Sequence, residues 1–148
     1  MAEPVMLPGG NQIRVVGESY YQDNLDQVCG GRTDEGHDYD CVVVLVAEPT
    51  NPYDPNAVAV YVDGRMVGHL PRDAAKAYQP IARRLGGHEA ACTANIRGGW
   101  DRGGGDTGHY GVVLDLAGID RCLEMIERAG VPKPAPGRRG FLSRLLGG

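Results

Sequence analysis

The sequence predicts a β-rich α+β domain, built as a small six-stranded antiparallel barrel or strongly coiled sheet that carries about three peripheral helices. Short apolar runs rich in valine are separated by glycine and proline, which is typical of short strands and turns. Asp63-Gly64 lies between two such runs and indicates a tight hairpin, because both positions favour positive φ. With 148 residues and 42% apolar content, we expect one domain with a substantial core.

The predicted elements follow the order β-α-β-β-β-α-β-β-α. The strands are expected at residues 11–16, 39–47, 57–62, 65–68, 88–97 and 109–116. The continuous valine run within 39–47 predicts a strand buried on both faces. Helices are expected at 20–29, at about 70–85 and at 119–129. The second helix contains Pro80, which predicts a kink or an interruption, and its inward face is Ala74, Ala77, Tyr78, Ile81 and Leu85.

The chain divides into a main domain and two ends. Residues 1–10 are interpreted as an N-terminal extension and residues 11–130 as the folded domain. Residues 131–148, rich in proline and arginine, are predicted to be a flexible tail. They include Lys133, Arg138, Arg139 and Arg144 and no acid.

The charge distribution disfavours binding of nucleic acid by bulk electrostatics. The net charge is −4, and the four positive charges of the tail leave −8 on the rest of the chain. Any nucleic-acid contact would therefore depend on a local site.

The cysteines and the hydropathy pattern indicate a cytoplasmic protein with reduced thiols and no membrane segment. No CxxC pair occurs, and Cys41 and Cys122 fall in apolar patterns typical of core thiols. A zinc site assembled from scattered cysteines and histidines is the weaker alternative, and we expect no metal and no cofactor.

The most distinctive segment is the stiff polar loop at residues 48–56, Glu-Pro-Thr-Asn-Pro-Tyr-Asp-Pro-Asn, between two predicted strands. Three prolines in seven residues exclude a helix interior and a central strand. Asn51, Asp54 and Asn56 are turn formers whose side chains bond nearby backbone groups. A rigid loop on a β scaffold is a good place to hold a ligand.

This loop, together with Gly-Glu-Ser-Tyr-Tyr at 17–21, Asp63-Gly64 and Val-Gly-His-Leu-Pro-Arg at 67–72, resembles the HIRAN domain family over residues 12–128. The family occurs at the N-terminus of fork-remodelling SWI/SNF helicases and as stand-alone bacterial proteins. The resemblance implies an OB-like barrel that binds single-stranded DNA and captures a free 3′-hydroxyl end. Two positions depart from the end-binding members, which have an arginine at the place of Ser19 and can have a basic residue at that of Pro71.

The resemblance also implies the DNA-binding residues. A tyrosine pair would pack on the terminal nucleotides, the proline loop would hold the end with Asp54 facing the terminal hydroxyl, and two further positions would contact phosphate. The tyrosine pair is Tyr20 and Tyr21, and the loop residues are Asn51, Tyr53 and Asp54. The phosphate-contacting positions are His69 and Arg72.

The chemistry of these side chains supports the same role independently of the resemblance to the family. A fixed carboxylate at Asp54 accepts a hydrogen bond from a terminal hydroxyl, whereas a continuing strand would bring a phosphate against it. Tyrosines stack on bases irrespective of sequence. Arg72, at the start of a predicted helix, offers an anion site.

Structural roles remain open for the same side chains. Asp54 and Asn51 could be pure turn residues, and Tyr53 could pack within its loop. Tyr20 and Tyr21 are neighbours, so one can face the core while the other faces a groove. His69 could simply bond a backbone group at the end of its hairpin.

Three function hypotheses follow. The first is a non-catalytic, monomeric module that binds single-stranded DNA ends and recruits other factors in repair or replication. The second is a protein-interaction module of the same fold that has lost DNA binding, with a protein partner held through residues 132–148; Ser19 and the acidic domain motivate it. The least favoured is a zinc-binding hydrolase acting on acid anhydrides, an activity associated with helicase relatives. The chain contains no phosphate-binding loop motif and no nucleophile elbow, so we expect no enzyme activity.

Overall fold

The computed structural model describes residues 4–85 and 89–130, so His88 and the predicted tail lie outside the described residues. Within them, three α-helices form: α1 (Gln22–Cys29), α2 (Arg72–Arg84) and α3 (Ile119–Arg128). A short 3-10 helix covers Glu18–Tyr20. The strands are β1 (Val5–Met6), β2 (Asn11–Arg14), β3 (His37–Ala47), β4 (Val58–Val62), β5 (Arg65–His69), β6 (Ala90–Gly98) and β7 (Gly111–Leu116).

The strands form one sheet in the order β2-β7-β6-β3-β4-β5, with antiparallel pairing between neighbours. The β-rich antiparallel fold with three helices is therefore confirmed. The additional strand β1 lies in the predicted N-terminal extension and pairs in parallel with β6, with Val5 opposite Ala90. A two-residue strand is too short to show an alternating pattern, so the sequence gives no signal for it.

The sheet does not close into a complete barrel. The edge strands β2 and β5 do not pair along their lengths, and the contact between these edges is an isolated bridge between Val16 and His69. Each residue donates its N–H to the other's carbonyl oxygen, at 2.8 and 2.9 Å. β2 ends at Arg14, which leaves too little strand to form a full ladder with β5.

Gly68 permits this approach of the two edges. A Cβ at this position would lie 2.3 Å from Cγ1 of Val15 and 2.7 Å from the carbonyl oxygen of Val16. Its φ of +155° is also one that other residues rarely adopt. The Val16–His69 bridge therefore depends on the absence of a side chain at Gly68.

The central strand β3 is buried on one face only, which corrects the predicted burial on both faces. Val43 and Leu45 lie in the core, at 0% and 4% exposure. Val42 and Val46 point outward and are 50% and 37% exposed. A valine run resembles a fully buried strand, but no helix covers the outer face at this position among the described residues.

Helix α2 packs on the core through a face slightly rotated from the predicted one. Tyr78, Ile81 and the unpredicted Ala75 are buried, whereas Ala77 is exposed. The hydroxyl of Tyr78 donates to the carbonyl oxygen of Ala117 at 2.6 Å, which satisfies its polar end inside the core.

Pro80 does not interrupt α2, which continues to Arg84. Proline removes one intrahelical hydrogen bond, and packing of the flanking turns retains the helix. The neighbouring Gln79 is buried at 4% exposure and donates through Nε2 to the carbonyl oxygen of Pro55 at 2.5 Å. This bond fixes α2 to the C-terminal end of the proline loop.

The four cysteines are free thiols. Cys122 and Cys92 are fully buried, and Cys41 and Cys29 are half-buried against the core. Burial raises the pKa of Cys92 to about 12 and that of Cys41 to about 11.

Candidate functional site

The proline loop is shaped by its own polar side chains. Oδ1 of Asn51 accepts the N–H groups of Tyr53 and Asp54, at 2.9 and 3.2 Å. Oδ1 of Asp54 accepts the N–H of Asn56 at 2.9 Å. These bonds are the local side-chain turns expected of Asn and Asp. They hold the loop in a shape that leaves the side chain of Tyr53 90% exposed.

Glu48, which was not predicted as a site residue, connects the loop to β5. Its Oε1 accepts a hydrogen bond from Nε2 of His69 at 2.7 Å and another from Nδ2 of Asn51 at 3.2 Å. The side chains of Glu48 and His69 are 26% and 27% exposed, so solvent only partly screens the pair. One carboxylate therefore fixes the orientation of both neighbours.

The sequence contains a weak signal for Glu48. It is the acid that directly follows the apolar strand and precedes the first proline of the loop. Its partner lies 21 residues away in sequence, so only the folded hairpin brings the two together.

The Val16–His69 bridge places a third segment beside this pair. Gly17 follows the bridge with a φ of +76° and turns the chain into the 3-10 helix of Glu18–Tyr20. The N–H of Tyr20 donates to the carbonyl oxygen of Gly17 at 3.1 Å. Tyr20 is consequently presented at the surface, with 86% of its area exposed.

Tyr21 differs from Tyr20 because it opens helix α1. Its carbonyl oxygen accepts the N–H of Leu25, a core residue, at 3.0 Å, and its side chain is half-buried. The two adjacent tyrosines therefore occupy different environments, one outward and one partly covered.

Gln22 holds the 3-10 helix against Tyr110, the residue that precedes β7. Its Nε2 donates to the carbonyl oxygens of Glu18 and Tyr110, at 2.9 and 3.1 Å, and its Oε1 accepts the N–H of Tyr110 at 2.8 Å. Tyr110 is itself buried, and its hydroxyl donates to Oδ1 of Asp26 at 2.7 Å. Burial is the main cause that raises the pKa of Tyr110, and the hydrogen bond to Asp26 raises it further. These hydrogen bonds hold in place the 3-10 helix that carries Tyr20.

Asp54 and Arg72 form the remaining side of the site. Oδ2 of Asp54 lies 4.0 Å from Nε of Arg72, a separation longer than a hydrogen bond. Arg72 is the first residue of α2, and its side chain is 81% exposed, whereas that of Asp54 is 20% exposed. Such a surface pair contributes little to stability. At this distance, Oδ2 of Asp54 makes no hydrogen bond to Arg72.

These contacts connect three segments, residues 16–21, 48–57 and 69–72, which are here called the Tyr20–Asp54 corner. Hydrogen bonds join its three segments through His69, which pairs by its backbone with Val16 and by its ring with Glu48. All seven sequence-predicted residues lie on these segments. Tyr20 and Tyr53 have the largest exposed fractions among the large hydrophobic side chains described.

A separate concavity lies next to the corner and was not predicted. It is a groove of about 1040 Å³ on the outer face of β2, β7, β6 and β3. Glu18 and Ser19 line both the groove and the corner, whereas the groove's other polar walls include Arg14, Asn95 and Arg97. Nδ2 of Asn95 donates to Asp38 and Asp40, so this face carries charges of both signs.

Residues 4–85 and 89–130 contain no group of three or more His, Cys, Asp or Glu side chains placed to hold a metal ion. Among the same residues, no helix has the length and apolar character needed to cross a membrane.

The fold and the corner together define a small, sheet-rich domain with an exposed aromatic and polar surface. The family model of the HIRAN domain matches residues 9–98, which is more than half of the chain. The chain therefore belongs to the HIRAN domain family, as its motifs predict. A search among curated proteins gave no match.

Solved structures similar to this chain include two of the human HLTF HIRAN domain. Its crystal structure is 20% identical, with a TM-score of 0.38, and the match covers 86% of this chain and 93% of that one. The NMR structure in its DNA-bound conformation is 25% identical, with a TM-score of 0.39, over 84% of this chain and 91% of that one. A Lactobacillus plantarum protein is 18% identical, with a TM-score of 0.40, over 74% and 95%.

Proposed function

We propose that this chain is a non-catalytic module that binds single-stranded DNA at a free 3′-hydroxyl end, through the Tyr20–Asp54 corner. Membership of the HIRAN family supports nucleic-acid binding, and human HLTF has a HIRAN domain with a DNA-bound conformation. The observation that supports the proposal is the hydrogen-bonded connection of three segments, which carry exposed tyrosines, a carboxylate and an arginine.

The two exposed tyrosines supply stacking surfaces. Tyr20 and Tyr53 are 86% and 90% exposed, and both stand on backbone that is held by hydrogen bonds. A rigid aromatic ring loses little conformational entropy when a base covers it. Stacking of this kind contributes about 1–3 kcal/mol per base and does not depend on sequence.

Asp54 supplies the selection of the end. Its Oδ1 is occupied by the N–H of Asn56, whereas its Oδ2 lies beyond hydrogen-bond distance of Arg72. We expect Oδ2 to accept the hydrogen bond of a terminal 3′-hydroxyl. A strand that continued past this point would bring a phosphate beside the carboxylate and be repelled.

Arg72 supplies the cation for a phosphate near the end. The guanidinium is exposed and lies beside the carboxylate, so it can contact phosphate while Asp54 contacts the sugar. Tyr21 would add a partly covered aromatic edge beside Tyr20. Asn51 and His69 act by shaping the corner, because their side chains are engaged with the loop and with Glu48.

A titration monitored by fluorescence anisotropy tests this function. Two oligonucleotides of identical sequence, ending in a 3′-hydroxyl or a 3′-phosphate, are compared with the wild type and with Asp54→Asn. We expect the wild type to favour the hydroxyl end and Asp54→Asn to lose most of that preference. Asp120→Asn, which removes one exposed acid on α3, is the matched control and should keep the preference. Equal wild-type affinities for the two ends would reject end selection.

The acidic domain favours one competing function, a protein-interaction module that does not bind DNA. The charge of −8 outside the tail opposes the approach of a polyanion, and Ser19 adds no cation at the corner. This alternative predicts no anisotropy change with any oligonucleotide at low salt. A recruiting role at DNA ends in repair or replication is the broader proposal, and it requires that DNA binding be observed first.

A further inference from the structure

The outer face of β3 exposes an apolar surface that the proposed DNA site does not use. Val42, Val44 and Val46, here called the valine stripe, alternate with the core residues of the same strand. Val42 and Val46 are 50% and 37% exposed. Valines in this setting remain in water unless another segment covers them, and contiguous exposed apolar surface indicates an interaction site.

Strand pairing extends the stripe sideways into a row. Val44 lies opposite Ala91 of β6 on one side and opposite Tyr61 of β4 on the other. Met6 of β1 lies opposite Ala91 in turn and is 42% exposed. Paired residues share a face of the sheet, so these four side chains lie in a single apolar row, in which Ala91 is itself buried.

Acidic side chains border this surface. The valines, Tyr61 and Gly64 line a shallow concavity of about 580 Å³, together with Asp63 and Glu89. Among the described residues that line it, none is basic. The surface therefore fits a segment that combines large apolar side chains with positive charge.

The chain carries such a segment beyond the described residues. Residues 138–146 read Arg-Arg-Gly-Phe-Leu-Ser-Arg-Leu-Leu, with three arginines, four large apolar residues and no acid. The prolines at 132, 134 and 136 separate it from α3. A polyproline-like chain extends about 3.1 Å per residue, so the seven residues 131–137 can span about 22 Å. That reach is comparable to the radius of a domain of this size, about 18 Å.

We propose that residues 138–146 of this chain dock on the valine stripe. Phe141, Leu142, Leu145 and Leu146 cover the exposed valines, and the arginines lie beside Asp63 and Glu89. Docking within the same chain is favoured over docking from a second copy, because a short tether gives an effective concentration in the millimolar range. The surface and its occupant are both absent from the proposed DNA site, so this inference is independent of DNA binding.

Methyl and amide NMR spectra of the full chain test the proposal. The variant Phe141→Asp with Leu145→Asp changes only the docking segment, so it leaves the folded domain intact. We expect the methyl resonances of the valine stripe to shift in this variant, whereas core methyls such as those of Val60 stay in place. Unmoved valine methyls would overturn the proposal.

A second variant tests the same contact from the other side. Val46→Lys with Glu89→Lys places positive charge on the surface and should move the amide resonances of residues 138–146 to random-coil positions. Asp23→Lys, an exposed change on α1, is the control and should leave them unchanged. Random-coil positions already present in the wild type would overturn the proposal. Wild-type shifts that disappear on dilution would also overturn it, because they would mean that a second copy supplies the segment.

Discussion

Nε2 of His69 donates a 2.7 Å hydrogen bond to Oε1 of Glu48, and this contact joins the proline loop to the last residue of β5. The same oxygen accepts Nδ2 of Asn51. Removal of the carboxylate therefore leaves two polar side chains without their partner, at the point where three segments of the corner meet.

We predict that Glu48→Ala weakens the binding of single-stranded DNA about tenfold, a loss of about 1.4 kcal/mol, by releasing His69 and Asn51. Glu48→Gln keeps an acceptor oxygen and should retain most of the affinity. The measurement is Kd by anisotropy, combined with the ring-nitrogen chemical shifts of His69, which report the hydrogen bond directly. Glu89→Gln serves as the control. Unchanged ring shifts in Glu48→Ala would show that the contact does not position His69.

Truncation of the exposed tyrosines should affect binding without affecting folding. We predict that Tyr20→Ala and Tyr53→Ala each lose about 1–3 kcal/mol of DNA affinity, the range of a stacked base. Because the two side chains are 86% and 90% exposed, the free energy of unfolding should change by about 0.5 kcal/mol or less. Urea unfolding and anisotropy titration measure the two effects. Tyr39→Ala, on the far end of β3, should leave Kd unchanged.

Gly68 should be sensitive to any substitution that adds a side chain. A methyl group there would meet Val15 and the carbonyl oxygen of Val16, so Gly68→Ala must separate the two sheet edges. We predict a loss of about 1–3 kcal/mol in the free energy of unfolding, together with loss of DNA binding. Gly111→Ala is the matched control, because its Cβ would meet nothing within 4 Å and its φ is not positive. Equal stability of the two variants would argue against the Val16–His69 contact.

We predict that the free energy of unfolding falls at alkaline pH because the buried cysteines have raised pKa values. Burial raises the pKa of Cys92 to about 12 and that of Cys41 to about 11, whereas an unfolded thiol titrates at about 8.5. Above that value the unfolded chain releases protons that the folded chain retains, so the free energy of unfolding falls as the pH rises. Urea unfolding between about pH 8 and pH 11 measures this slope. The double variant Cys41→Ala, Cys92→Ala should have a shallower slope, and an equal slope would assign the effect to other groups.

The sequence predicted the elements that have strong local signals. Asp63 and Gly64 adopt φ of 49° and 77°, as the hairpin signal requires, and β4 and β5 pair on either side of them. The polar side chains of the proline loop bond their own backbone, as expected of asparagine and aspartate in turns. These features depend on a few consecutive residues.

The missed features depend on contacts between distant residues. The partner of β1 is β6, at Ala90, and the partner of Glu48 is His69; neither pairing leaves a pattern in the sequence. The valine run of β3 indicates burial, but exposure of its outer face depends on which elements cover it. The open sheet likewise follows from the short length of β2, which periodicity alone does not set.

The most direct test of the proposed end-binding corner is a map of amide chemical-shift changes when a short oligonucleotide with a free 3′-hydroxyl is added. We predict that the largest changes fall on residues 17–21, 51–54 and 69–72, and that they shrink when the oligonucleotide ends in a phosphate. Changes centred on the groove beside Arg14, Asn95 and Arg97, or the same changes with both ends, would contradict end capture at Asp54.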